Sequence, residues 1–236
     1  MARSAVGAHD GRSVPRGAER TVRLSFSALL KLGEDGRYVL FHTPNRPGVF
    51  SPPGGVFKYF EPAVPILEAL GFRPENVEIW REVMRRDFRG FLPARSLGRF
   101  RRWFASGAYR EDSGECLRRE LIEELGEVGF PELAAYARGL VFAPVGTTWE
   151  GPREVPGRPY RQVRRFEIHD LVPTAGGGAR LSRELLDRAA DPSVETIVAA
   201  SADEIVRGRV GRALVAPQTC LLLHRGRLYS DIPPIA

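Results

Sequence analysis

Apolar and polar side chains alternate across residues 21–32. Val22, Leu24, Phe26, Ala28, Leu30 and Leu32 interleave with Thr21, Arg23, Ser25, Ser27 and Lys31. A period of two sends each set to its own face, so this stretch predicts a half-buried β-strand. Glu34-Asp35-Gly36 supplies turn residues before the apolar run 38–41, which predicts a hairpin, and a third strand around Val49–Ser51 leads into Pro52-Pro53-Gly54-Gly55. Residues 62–70 have helical spacing and stop at Gly71, and 87–92 read as a short strand. Ser96 is placed to cap a helix carrying Leu97, Phe100, Trp103 and Phe104. Further on, 139–144 and 163–168 read as strands separated by a polar loop, 146–160, a candidate lid. A helix is predicted from Ser182 to Ala190 and a strand over 195–199. Ser201-Ala202-Asp203-Glu204 forms a capping box, and 214–223 begins extended and ends helical. Residues 1–20 have no apolar period and read as a mobile tail, leaving 21–236 as a single domain in which mixed strands and helices predict an α/β fold.

The segment 110–127, REDSGECLRRELIEELGE, raises a separate question. Leu117, Leu121, Ile122 and Leu125 recur at i, i+4, i+5 and i+8 with no Pro or Gly between Cys116 and Leu125, the pattern of an amphipathic helix. Asp112 and Glu115 are spaced as a capping box at its start, and Gly126 is the expected stop. Glu120, Glu123 and Glu124 then fall at i, i+3 and i+4, which brings three like charges onto one surface. One reading is a solvated face balanced by arginine: Glu115/Arg119 and Arg119/Glu123 are i,i+4 pairs worth about 0.2–0.5 kcal/mol each. The other is a carboxylate set gathered for a hard divalent cation, which takes oxygen ligands. Spacing leaves both open.

Charge and composition narrow the picture a little. The formal net charge is +6 with a pI near 9.8, and nearly all of it is arginine, Lys31 and Lys58 being the two lysines. The excess suits phosphate-rich ligands or nucleic acid, and guanidinium forks match phosphate geometry. Arginine groups such as Arg85/Arg86/Arg89, Arg99/Arg101/Arg102 and Arg161/Arg164/Arg165 read equally as solvated faces. Two cysteines, Cys116 and Cys220, support neither a disulfide framework nor a zinc cluster, and His42, His169 and His224 lack ligand spacing. With no apolar run long enough for a bilayer and no secretory amino terminus, a cytoplasmic location without membrane contact is expected.

The wording of the helix carries more. Arg119-Glu120-Leu121-Ile122-Glu123-Glu124-Leu125-Gly126, with Glu111 eight positions before Arg119, resembles the second half of the Nudix box, G-x5-E-x7-R-E-U-x-E-E-x-G-U with U aliphatic. The last aliphatic position holds Glu127, with Val128 next. The glycine expected six residues before Glu111 is Ala105, so Gly54-Gly55 takes its place and the box is split by a long insertion, 56–110. GGVFKYF at 54–60 and RRDFRGFLPARSLGRFRRWFASGAYRE at 85–111 are similar to the SMODS-associated NUDIX domains, encoded beside bacterial nucleotidyltransferases of antiviral signalling systems.

The resemblance implies a Nudix-type α/β/α sandwich with a mixed sheet. It implies Mg²⁺ or Mn²⁺ held by Glu120, Glu123 and Glu124, with the Gly55 carbonyl as a further ligand, and a hydrolase acting on a nucleoside diphosphate linked to another moiety. Glu120 or Glu124 would serve as base, Arg119 would orient the glutamates, and Glu111 and Gly126 would support the box. Lys58, Arg86, Trp149 and Tyr160 are candidate substrate contacts, and Glu150, Glu154 and Glu167 are eligible as an extra acid. A non-catalytic nucleotide sensor and an RNA-end pyrophosphohydrolase are the rival readings. A nucleotide-type small molecule is the expected partner, with nucleic acid reserved for the RNA reading, and the insertion is open to serve as a lid or a homodimer contact.

Overall fold

The computed structural model describes residues 20–75 and 86–227. The expected tail at 1–20 therefore lies outside the described residues apart from Arg20, as does Arg85. The period-two run forms β1 (Thr21–Lys31) with its apolar set buried. The chain then turns through β2 (Gly33–Glu34) into β3 (Arg37–His42) and on to β4 (Val49–Ser51) and β5 (Gly54–Val56). The turn at Asp35-Gly36 is as expected, but the hairpin is confined to the short pairing of β2 with β3. The body of β1 belongs to one sheet and β3 to another. Alternation reports which face of a strand is buried and is silent about which strand lies beside it.

Within 56–110, the described residues 56–75 and 86–110 carry ordered elements. A 3₁₀ turn leads into α1 (Val64–Ala69), followed by β6 (Arg73–Pro74), β7 (Arg89–Pro93) and α2 (Leu97–Ala105). Ser96 ends a 3₁₀ turn over Ala94–Ser96 and caps α2 with no side-chain hydrogen bond, because its backbone is already helical. The box helix, α3, spans Ser113–Glu127 behind an intact capping box: Asp112 accepts from the Glu115 N–H, and the Glu115 carboxylate accepts from the Asp112 N–H. The helix runs through Gly126, which is not its stop; the chain leaves it at Val128 and Gly129, where the Gly129 φ is 94°.

Beyond α4 (Ala134–Ala137) come β8 (Phe142–Glu154) and β9 (Tyr160–Leu171), a long antiparallel ladder with irregularities at 144/146 and 150/153. The predicted loop 146–160 is thus largely strand. Its residues alternate poorly because β8 is an edge strand with little burial on either face, so hydrophobic pattern gives no sign of it. The chain continues through α5 (Gly178–Ala190), β10 (Ile197–Ser201), α6 (Ala202–Arg207), β11 (Arg209–Val210) and β12 (Ala213–Val215) to a 3₁₀ segment, Pro217–Leu223. Helix α5 starts four residues before the predicted Ser182, while Ser201 forms the predicted capping box with Glu204.

The first sheet has the order β6-β7-β1-β9-β8, with β5 also paired to β1; the second has the order β10-β3-β4-β12-β11, with β2 on β3. Both are mixed, β1 running parallel to β9 and β4 parallel to β12, so the fold is α/β as expected. The largest core cluster joins the inner face of β1 to helices α1, α2, α3 and α5 and to Val39, Phe41 and Ile197 of the second sheet. At its centre Phe26, Phe57, Phe88, Phe100 and Phe104 are fully buried, and all their ring contacts but the tilted Phe100–Phe104 pair are edge to face, Phe26 and Phe104 at 4.8 Å between centroids, a geometry favoured by the ring quadrupoles. Among the described residues no helix is long and apolar enough to cross a membrane.

Candidate functional site

Helix α3 packs its Cys116, Leu117, Leu121 and Leu125 stripe against β1 and β5, and this fixes where the flanking charges fall. Glu111, just before the helix, is buried at 6% exposure. Its carboxylate receives Arg119 through two nitrogens, Nε at 2.6 Å and Nη2 at 2.9 Å, and accepts the Lys58 backbone N–H at 2.8 Å. The same guanidinium donates to the Val56 carbonyl at 3.0 Å and to Glu120 Oε1 at 2.7 Å, and lies 3.5 Å from Glu123. Burial lowers the proton affinity of Arg119, but the bonds to Glu111 and Glu120 outweigh it and hold the guanidinium above its ordinary value. Arg119 is therefore a fixed, permanently charged fork that aims Glu120.

Glu120 lies over β5. A Cβ on Gly55 would stand 2.2–2.4 Å from the Glu120 carboxylate, so the missing side chain at Gly55 is the space the carboxylate occupies. The Gly55 carbonyl faces the buried Cys116 Sγ at 3.6 Å. Glu124 Oε2 accepts the Gly54 N–H at 2.9 Å, and Glu123, the most exposed of the three, lies 3.5 Å from Lys58 Nζ. Burial raises the proton affinity of Glu120 despite Arg119, and raises that of Glu124 well above the usual carboxylate range despite the Gly54 N–H. Burial likewise pushes up the Cys116 thiol, with Glu111 and Glu120 adding to it, which makes Cys116 a packing residue.

The three glutamates are thus brought together on one face, Glu120 held by Arg119, Glu123 between Arg119 and Lys58, and Glu124 on the Gly54 N–H. Among the described residues no three His, Cys, Asp or Glu side chains form a ready cage for an ion. The donor set nevertheless suits a hard divalent cation: the side-chain candidates offer carboxylate oxygens, and two of them, Glu120 and Glu124, are partly buried, with desolvation raising their proton affinity despite Arg119 and the Gly54 N–H. Mg²⁺ keeps several waters and needs one or two carboxylates plus substrate phosphates, so a closed protein cage is not required.

One neighbour was not foreseen. Asp87 forms an isolated antiparallel bridge with Lys58, flanked by the bonds Tyr59 N–H to Arg86 O at 2.9 Å and Phe88 N–H to Phe57 O at 2.8 Å. That makes 58 and 87 a non-hydrogen-bonded pair, whose side chains stand close on the same face, and Lys58 on that face reaches Glu123. Burial raises the Asp87 pKa against Arg89, Lys58 and Arg119, and Asp87 in turn raises that of Glu120. The sequence signal available was only a predicted strand at 87–92, with nothing to pair its first residue with Lys58.

Other candidates fall elsewhere. Arg86 is paired with Glu61 at 3.0 Å, and Tyr160 packs edge to face on Phe91 at the start of β9. Gly126 lies on the exposed side of α3 with open space around it. Glu150 is taken by Arg164 and Arg227, and Glu154 is exposed near the β8–β9 turn. Glu167 accepts from Ser113 Oγ at the start of α3 and pairs with Arg165. Trp149 packs on Phe26 with a ring contact at 5.2 Å.

The model of one family, the SMODS-associated NUDIX domain, matches residues 21–223. Among solved structures, the solution structure of the E. coli ORF135 protein is similar at 17% identity over 89% of this chain and 91% of that one, with a TM-score of 0.35, a likeness too loose to carry an argument. A search of the curated proteins found no match.

Proposed function

Because the chain belongs to the SMODS-associated NUDIX domain family, we propose that it is a Mg²⁺- or Mn²⁺-dependent hydrolase of a nucleoside diphosphate linked to another moiety, with its chemistry on the carboxylate face of α3. The observation that carries this reading is the chain Glu111–Arg119–Glu120 closing over Gly55, in which a buried ion pair is devoted to aiming one further carboxylate. A face needed only for solubility would have no use for it.

Glu120, Glu123 and Glu124 would hold the cation. When bound, it supplies charge neutralisation at the phosphoryl oxygens and acidifies water. The chain's own contribution is positioning and proton transfer. Glu111 and Arg119 fix Glu120; the Gly54 N–H holds one Glu124 oxygen and leaves the other to act. Attack by water forms a new P–O bond and breaks the anhydride P–O bond. The proton released passes to Glu124, through the oxygen that the Gly54 N–H does not hold.

The test is turnover of nucleotides, nucleotide sugars, dinucleoside polyphosphates and cyclic oligonucleotides by the wild type and by Glu124→Gln. Loss of a base is expected to lower the rate about a hundredfold or more with an unchanged fold. Equal turnover by both proteins would remove Glu124 from the mechanism. Saturable nucleotide binding with no turnover of any class would favour the sensor reading.

A further inference from the structure

A second concentration of charge lies at the amino-terminal end of α3, and it is positive. On the sheet, Arg165 of β9 is flanked in register by Phe26 of β1 and Trp149 of β8. Its guanidinium carbon is 5.0 Å from the Phe104 centroid and 5.4 Å from that of Trp149. Arg101 reaches down from α2 onto the Trp149 ring at 4.0 Å, and Arg110 covers Phe104 at 4.0 Å. Three guanidiniums, from β9, from α2 and from the segment between α2 and α3, thus meet around two rings.

Negative charge there is scarce. Glu167 pairs with Arg165, but it is shared with Ser113 Oγ and lies 4.0 Å from His169 Nε2. Arg110 donates to two neutral carbonyls, those of Phe104 at 2.7 Å and Glu111 at 2.5 Å. Asp112 and Glu115, which act on Arg110 from a distance, are engaged with each other in the capping box. Among the described residues no carboxylate is bonded to Arg101 or Arg110. Burial, then the charges of Arg110 and Arg101, bring the Arg165 pKa down to about 10.

Packing alone is a poor account of this. One guanidinium per ring face collects a cation–π contact of about 0.5–1 kcal/mol, whereas three in one cluster repel. An anion among them removes the repulsion, and guanidinium forks match phosphate oxygens. Trp149, 38% exposed, adds an aromatic face open to solvent, of the kind on which nucleobases stack. We propose that Arg101, Arg110 and Arg165, with Trp149, form a binding site for a phosphate-bearing ligand of nucleotide type, distinct from the carboxylate face of α3. Ser113, which joins the cluster through Glu167, precedes Glu120 by seven residues, about 10 Å of helix rise. The site goes beyond the hydrolase reading and stands without it.

The experiment titrates pyrophosphate and ADP into the full chain in EDTA, followed by calorimetry and tryptophan fluorescence at low and high salt. Saturable binding is expected for the wild type and equally for Glu124→Gln, weakening with salt as exposed charges are screened. Arg101→Ala, an exposed position where folding is not at stake, is expected to raise Kd about tenfold, the effect of losing one charge-assisted contact. Arg101→Ala/Arg165→Lys is expected to raise it further. Binding that is absent at millimolar ligand, unchanged in Arg101→Ala, or lost in Glu124→Gln and kept in Arg101→Ala overturns the proposal. The last outcome would assign the anion to the box instead.

Discussion

A methyl group at Gly55 would stand 2.2–2.4 Å from the carboxylate atoms of Glu120, closer than any real contact allows, so at this position the absence of a side chain is what leaves room for the carboxylate. Gly55→Ala is expected to push Glu120 off Arg119 and lower turnover about 10- to 100-fold, the usual effect of disturbing groups that orient a metal site. Wild-type turnover in a folded Gly55→Ala protein would show that Glu120 need not sit where it does. Asp87 makes a second prediction at this scale. Its folded pKa is raised, so its contribution to stability is fully present below the unfolded pKa and is lost as pH rises through the folded one. Asp87→Asn should therefore raise the melting temperature of the metal-free protein at neutral pH by a few degrees at most, since 1 kcal/mol moves a domain of this size about 2–4 °C. The gain should shrink as pH falls and the wild-type carboxyl takes up its proton; a gain that grows toward acid would contradict the burial argument. The contrast between these residues marks what sequence can disclose. Glu111, Arg119 and Glu120 lie within one local stretch, where the resemblance to the Nudix box implies their association, whereas Asp87 comes near them only because an isolated bridge sets it beside Lys58, a neighbour 29 positions earlier in the chain.

Among the elements, α3 was the most legible because its apolar period, its cap and its charges all lie within fifteen residues. The reciprocal bonds of Asp112 and Glu115, each at 2.8 Å, make the cap a measurable quantity. Asp112→Ala is expected to cost about 1 kcal/mol, read as a shift in denaturation midpoint with an unchanged slope; a neutral result would mean the ion pair of Glu111 with Arg119 fixes the helix start unaided. The same kind of reasoning failed at Ser96, where a cap residue is present but a preceding 3₁₀ turn has already made its backbone helical. It failed again at β8, for an instructive reason. The polar stretch from Gly146 to Glu154 earns its strand from the ladder with β9, a long-range pairing that leaves no mark on hydrophobic pattern when both faces are largely exposed. With that ladder in place, the expected lid becomes a wall that carries Trp149 to α2.

For the molecule as a whole, the question is whether residues 56–110 are an appendage or part of the domain. Its strand β7 pairs along β1 from Thr21 to Ser25, and Phe88, Phe100 and Phe104 belong to the same core cluster as Leu117, Leu121 and Leu125 of α3 and Val39 and Phe41 of the second sheet. Thr196, beside β10, donates to the Val128 carbonyl at the end of α3 at 2.7 Å, tying the second sheet to the box helix. A core shared in this way gives the inserted segment no surface of its own to fold around, so we propose one domain beginning at residue 21, with the segment built into it. The chain should then melt in a single calorimetric transition whose van't Hoff and calorimetric enthalpies agree. Phe104→Ala sharpens the test, because this side chain is fully buried against Phe26, Phe57 and Phe88 and its removal is expected to cost about 3–5 kcal/mol. If the core is one unit, that loss moves the whole transition down by about 10 °C, and near-ultraviolet and far-ultraviolet signals fall together. If the segment were separable, Phe104→Ala would split the transition, leaving the part that contains α5 and β10 melting near its wild-type temperature.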